Sequence, residues 1–326
     1  MHEDDIDGRG TTIAVIDSGI NYTHPAFKGK IVAVKNFVSK EIDNIDCAID
    51  SDGHGTHCAA IAAGNSFYCP LNASDPESAC IKVPPGVAPG AKLVICKVVE
   101  TSNGDVDSDA FLASLQWLKK QHTSGKQHID VISISLASTY YSHERAQVIS
   151  DLASLGVIVV CCASNVGRLR MQPIAFPARL GHVLCIGAHD ENGKPTSFSP
   201  VGRELDFLSP GDNLWGAGPG TMGPFAMDCA SGTSCATPAV AGLVCLILQA
   251  MTYICERNPQ LFQIGGKQLI ELVRSVWVMR EILKEMSSSP GHHSEEIGYG
   301  TLNPYRVLDR SDEEIMRIID EIIEDE

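Results

Sequence analysis

Asp17, His54 and Ser234 each stand where an apolar segment ends or begins, and they are the three residue types that turn a hydroxyl into a nucleophile. A serine attacks a carbonyl when a histidine takes its proton and a carboxylate holds that histidine in the right tautomer. Asp17 closes the buried-strand pattern Thr12-Ile13-Ala14-Val15-Ile16 and so falls at the carboxyl edge of a sheet, where open α/β folds place their ligands. His54 lies between Gly53 and Gly55 ahead of the small-residue run Ala59 to Ala63, and the two glycines let the backbone approach a neighbour closely. Ser234, in Ser231-Gly232-Thr233-Ser234-Cys235-Ala236-Thr237-Pro238, precedes a long apolar run. At a helix N-terminus, free amides and the dipole stabilise negative charge developing beside the hydroxyl. Taken singly, Asp17 has a plain structural reading as a cap or turn aspartate and Ser234 as an N-cap serine. Only the combination carries chemistry. His57 adds a second imidazole three residues after His54, but no third ligand follows at a familiar spacing and Cys58 is expected to point away from both. No metal site is expected, and His57 reads as a structural residue.

Such residues need a rigid frame. Short β-rich runs at Thr12 to Ile16, Lys92 to Val99, Val131 to Leu136, Gly156 to Cys162 and His182 to Ala188 alternate with helical patterns at Ser108 to Gln121 and His143 to Leu155. That alternation predicts an α/β fold, a single large domain with a mostly parallel central sheet flanked by helices. Ala236 to Ile254 is almost continuously apolar, which suits a helix buried at the centre. No internal repeat and no long linker divides the chain. Its body is expected to run over 1–308. An acidic amphipathic helix over 309–326 follows, with nine acids against two bases and Ile315, Ile318, Ile319, Ile322 and Ile323 at helical spacing. That helix either packs on the body or docks another protein.

With 326 residues, one large domain is allowed, and 44% hydrophobic against 20% charged residues supports a buried core over disorder. A net charge of −15 argues against nucleic-acid and anionic-membrane surfaces, which need clustered positive charge. The apolar runs are read as too short for a membrane span, and the acidic N-terminus does not resemble a signal peptide. Twelve cysteines are too few for a disulfide scaffold. Cys161 and Cys162 are adjacent, with side chains expected on opposite faces of a strand, and Cys96, Cys185 and Cys245 lie in apolar segments. An intracellular, reducing location is favoured. Against it stand the sequons Asn21-Tyr22-Thr23 and Asn72-Ala73-Ser74 and a conceivable Cys69–Cys80 bridge.

The chain order Asp, His, Ser, within IAVIDSGI, DGHGTHCAA and SGTSCATPAVAGL, resembles the subtilisin-like serine peptidases. The likeness extends to Gly86-Val87-Ala88-Pro89-Gly90-Ala91, Ile132-Ser133-Ile134-Ser135-Leu136, Ala163-Ser164-Asn165-Val166-Gly167, Phe176-Pro177-Ala178, Ser197-Phe198-Ser199 and Gly298-Tyr299-Gly300. It runs from about residue 8 to residue 308, and the cysteine after His57 is similar to the proteinase K branch. The resemblance implies a serine endopeptidase acting on polypeptides through an acyl-enzyme. Asp17 would orient, His54 act as general base then acid, Ser234 attack, and Asn165 donate into the oxyanion hole. It further implies substrate-pairing edges at Ser135-Leu136-Ala137 and Gly104-Asp105-Val106. Ala137 and Ser164 stand in place of glycines and would narrow the specificity pocket. The same triad also suits a peptide ligase, and a catalytically silent binding scaffold is the remaining alternative.

No cofactor is implied. The calcium-binding aspartate that many secreted members carry after His-Pro is Ala26 here, which leaves only weak calcium binding near Asp75 and Glu77. Cys235 stands where many relatives have methionine. It reads as a small packing residue or an oxidisable switch. Only 16 residues precede Asp17, so the chain is either a processed domain or one whose folding needs no prodomain. Activity is expected to rise through the titration of His54 near its reference pKa of about 6.5.

Overall fold

Strands buried on both faces read as unbroken β-branched runs, and Ile158–Cys162, with all five residues buried, is one of these. The computed structural model describes residues 6–38, 48–70, 79–99, 106–167, 174–258, 263–264 and 267–324. Seven strands form the main sheet: β1 (Thr12–Asp17), β2 (Ile31–Asn36), β5 (Lys92–Lys97), β6 (Val131–Ile134), β7 (Ile158–Cys162), β8 (Leu184–His189) and β9 (Phe207–Pro210). Their order is β2-β5-β1-β6-β7-β8-β9, and every neighbouring pair is parallel. Two strands escaped the sequence reading for physical reasons. β2 is a half-exposed edge strand with a bulge, and β9 is four residues ending in a proline. β3 (Phe67–Pro70) pairs with β4 (Cys80–Val83), and β10 (Leu214–Ala217) with β11 (Met227–Ala230), as two antiparallel ribbons.

Alternation along β1 sends Ile13 and Val15 into one core and Ala14 and Ile16 into another. The second core lies under α2 (Ser108–Thr123) and α3 (His143–Ser154), whose N-caps Asp107 and Ser142 bond the first-turn amides. The first core holds α1 (His54–Ala63), α4 (Thr233–Arg257), α5 (Leu269–Val273) and α6 (Val276–Met286). The 25 residues of α4 are long and apolar enough to cross a bilayer, contrary to the expectation that no run reaches that length. They are core instead: 72% of the most apolar window is buried, against β1, β6, β7, β8, β9 and α1.

α7 (Tyr305–Leu308) and α8 (Asp312–Glu324) complete the chain. Ile315 and Ile319 of α8 join the first core beside α6, and Asp312 receives both arms of Arg257 at 2.8 and 2.9 Å. The apolar face that a docking helix would offer a partner is thus already covered by the body. Two further expectations change. Cys69 lies opposite Ile81, and Cys80 opposite Pro70, so the two thiols point to different faces of their ribbon and stay unbridged. Asn21 is buried, its amide donating to the carbonyls of Gly218 and Gly223, which denies it to a glycan. The other sequon, at Asn72, lies outside the described residues.

At the amino edge of the sheet, Arg280 of α6 reaches through the core to bond Asp206 Oδ1 at 2.8 Å and the carbonyls of Val183 and Gly181 at 2.7 and 3.1 Å. Asp206 Oδ2 in turn accepts the Cys185 amide. Removing one member of a buried pair leaves the other uncompensated, at a cost of about 3–5 kcal/mol. We expect Arg280→Met to lower unfolding stability by that amount in urea titrations, with Arg280→Met/Asp206→Leu recovering part of it. A single variant indistinguishable from wild type would contradict this account.

Candidate active site

β1 delivers Asp17 to the carboxyl edge of the sheet, 1% exposed. Its Oδ1 accepts the Ser18 amide at 2.7 Å and faces His54 Nδ1 at 2.7 Å. A buried carboxylate so placed holds the ring with its proton on Nδ1 and Nε2 free to accept. It also raises the His54 pKa well above 6.5, chiefly through its charge, so the titration expected near the reference value moves up. The imidazole keeps 35% of its side-chain surface exposed, open to a ligand.

This approach depends on Gly55. A Cβ there would lie 2.5 Å from the Gly19 carbonyl oxygen and 3.0 Å from Asp17 Cβ. The helix start itself is satisfied by side chains: the His54, Gly55 and Thr56 amides bond Asp52 Oδ1, Ser18 Oγ and Asp50 Oδ2. Gly55→Ala must push α1 off β1, and displacement of about 1 Å costs on the order of 100-fold in rate. We expect kcat/KM for a peptide substrate to fall by about that factor. An unchanged value would show that the contact does not set the geometry.

Ser234 occupies the second position of α4, with Gly232 rather than serine as N-cap. Four residues on, Pro238 has no N–H to give, so the Ser234 carbonyl is released from the helix ladder. It accepts instead from Ser135 Oγ at 2.8 Å and Cys58 Sγ at 3.3 Å. Cys58 therefore does not point away from His54: it sits one turn further along α1, with Sγ 4.0 Å from Nδ1, and joins the two halves of the site. Asp17, His54 and Cys58 bring one ligand atom each within 4.8 Å of one another. Burial pushes the Cys58 thiol up, and its Sγ already donates to the Ser234 carbonyl. His57, on the same helix, is buried, as a structural residue would be.

Asn165 is exposed in the loop after β7. Its Oδ1 accepts from the Thr233 amide at 2.9 Å and from Thr233 Oγ1 at 3.0 Å, which fixes the flip and turns Nδ2 outward as a donor. Nδ2 and Ser234 Oγ border one small space beside Gly232, 3.2 and 2.8 Å from where a Cβ on that glycine would be. Beyond β6, Ser135 is buried, Leu136 half-buried and Ala137 exposed, before Ser138 bridges to Phe176. Gly104 and Asp105 lie outside the described residues, as do Asp75 and Glu77. Ser164 holds φ at 135°, a strained value that glycine suits, and Thr233 Oγ1 donates to its carbonyl at 3.1 Å. Ala26 is a methyl group buried in the first core.

The structure thus gathers Asp17, His54, Ser234, Asn165, Ser135 and Ser164 at one edge of one sheet. Sequence reasoning missed Thr233, Ser18 and Asp50, and misdirected Cys58.

A parallel α/β sheet with a carboxylate–imidazole pair and a helix-borne serine at its carboxyl edge defines the class as a serine-type hydrolase. Residues 8–300 match the subtilase family, and the chain belongs to that family of serine endopeptidases. It is 29% identical over 244 residues to the major intracellular serine protease of Bacillus subtilis, spanning 74% of this chain and 69% of that one. To subtilisin Savinase of Lederbergia lenta it is 35% identical over 250 residues, spanning 76% and 80%. In fold it is similar to the protease domain of PatA, solved as a serine-to-alanine mutant, with a TM-score of 0.67 at 22% identity over 96% and 98% of the two chains.

Proposed function

We propose that Asp17, His54 and Ser234 hydrolyse peptide bonds as a triad, with the Asn165 side chain and the Ser234 backbone amide binding the oxyanion. The observation that carries this reading is the 2.7 Å contact between buried Asp17 and His54 Nδ1. His54 Nε2 accepts the Ser234 proton as Oγ attacks the scissile carbonyl. The carbonyl oxygen takes up negative charge where Nδ2 of Asn165 and the Ser234 amide converge. His54 then gives the proton to the leaving amine, and water repeats the sequence on the acyl-enzyme. No step calls for a cofactor. The chain beyond β6, from Ser135 to Ala137, pairs with the extended substrate. Ser164 and Ala137 fill volume in the pocket beside it and so favour small side chains there.

Intact-protein mass after incubation with a fluorophosphonate tests the triad. One adduct on the wild type, none on Ser234→Ala and slow labelling of His54→Ala support it. A folded wild type that gains no adduct sinks it.

An intracellular location belongs to the same reading. The eleven described cysteines form no disulfide, Cys69 and Cys80 face opposite ways, and Asn21 is inaccessible. Two relatives, from Bacillus subtilis and Paenibacillus polymyxa, are named as intracellular serine proteases.

A further inference from the structure

Asp50 belongs to no regular element and is fully buried, yet both of its carboxylate oxygens are saturated with hydrogen bonds from the site. Oδ1 takes Ser18 Oγ at 2.9 Å, the Gly53 amide at 2.8 Å and the Asp52 amide at 3.2 Å. Oδ2 takes the Thr56 amide at 2.8 Å and Thr56 Oγ1 at 2.6 Å. One carboxylate therefore grips both sides of the Asp17–His54 contact. Through Ser18, whose amide bonds Asp17 Oδ1 and whose Oγ receives the Gly55 amide, it holds the end of β1. Through Gly53 and Thr56 it holds the residues flanking His54.

The segment that carries Asp50 is itself fixed from three directions. Its amide and carbonyl bond the Ile20 carbonyl and the Gly220 amide, each at 3.3 Å, and the Ile49 carbonyl receives Lys97 Nζ at 2.6 Å. Lys97 ends β5, the strand beside β1. A charged acceptor also suits this place, since the first-turn amides of α1 present partial positive charge. A neutral amide in its stead keeps the shape but turns one acceptor into a donor facing other donors.

We propose that Asp50 is a positioning residue, setting the distance and angle between Asp17 and His54 and so the basicity of His54 in catalysis. It touches neither substrate nor the reacting atoms. The proposal rests on the triad reading, and its test separates the two. Kinetics are measured on full-length wild type, Ser18→Ala and Asp50→Asn, with rates expressed per active site titrated by fluorophosphonate.

Loosening the pair is expected to lower kcat about 10-fold in Ser18→Ala and about 100-fold in Asp50→Asn, with KM within about twofold. The inflection of kcat against pH should move down toward the reference value for histidine, because His54 loses part of its contact with Asp17. A purely structural role would lower melting temperature and the titratable fraction but leave kcat per site and the inflection in place. That outcome in Ser18→Ala, which removes the hydroxyl that joins Asp50 to the Gly55 amide, overturns the proposal even if Asp50→Asn does not fold. A wild type that fails to label removes the triad reading and this proposal with it. Normal wild-type labelling with unmoved kcat and inflection in the variants removes this proposal alone.

Discussion

Ser234→Ala and His54→Ala are each expected to cut peptide hydrolysis by about a millionfold, and the double variant to lose no more than either one. The scale is that of subtilisin, a member of the same family, where removing either residue costs nearly as much as removing the whole triad. Non-additivity follows from the division of labour. Without the Ser234 hydroxyl, His54 has no proton to accept, and without His54 the hydroxyl stays protonated and inert. What survives is expected to come from the proposed oxyanion donors that neither substitution removes, namely the Asn165 amide fixed by Thr233 and the backbone amide of residue 234. Initial rates on a chromogenic peptide at saturating concentration, with contaminating protease excluded by active-site titration, measure all three variants. Additive losses would mean that the two side chains act independently and that no triad operates.

Asp17→Asn should be milder and different in kind, with a loss of about 10,000-fold at neutral pH, the size seen when the equivalent aspartate of a convergent serine protease is replaced. The amide is close in shape but favours the wrong tautomer of His54, leaving Nε2 protonated when it should accept. The pH dependence gives the sign. In the wild type, the buried Asp17 charge stabilises the imidazolium and raises the His54 pKa well above 6.5. His54 therefore stays protonated, and idle as a base, to higher pH, and kcat/KM must rise through an inflection above 6.5. In Asp17→Asn that charge is gone while partial burial, which disfavours the charged ring, remains, so the inflection must fall. A variant whose inflection stayed at the wild-type position would show that some other group sets the basicity of His54.

Much of this site is legible in the sequence because its chemistry sits at boundaries that composition marks. β1 reads as Thr12 to Ile16 and ends in Asp17, and the switch from a glycine-rich turn to the apolar run of α4 marks Ser234. Five strands and the four longest helices follow from the pattern of apolar residues, since parallel strands buried on both faces carry continuous apolar runs. What escapes reading depends on contacts distant in the chain. Thr233 matters because Asn165, on another element, has an oxygen that must be turned aside. Asp50 matters because Ser18 and Thr56 meet around it. Spacing within its own segment turns Cys58 away from the site, whereas its actual direction is set by the carbonyl that Pro238 frees on α4. Polar spacing within a segment finds reactive groups; the groups that aim them are found only after folding.

The placement of α4 fixes when during synthesis the protein can first cut anything. All seven strands of the main sheet, and α1 with His54, leave the ribosome before Thr233. Until α4 emerges, the first core lacks its central helix and His54 faces no hydroxyl. Docking of this one helix closes the core and brings Ser234, the proposed nucleophile, to the edge of the sheet in a single event. On the triad reading, competence to cleave therefore waits on the docking of α4, after every strand of the main sheet has been made.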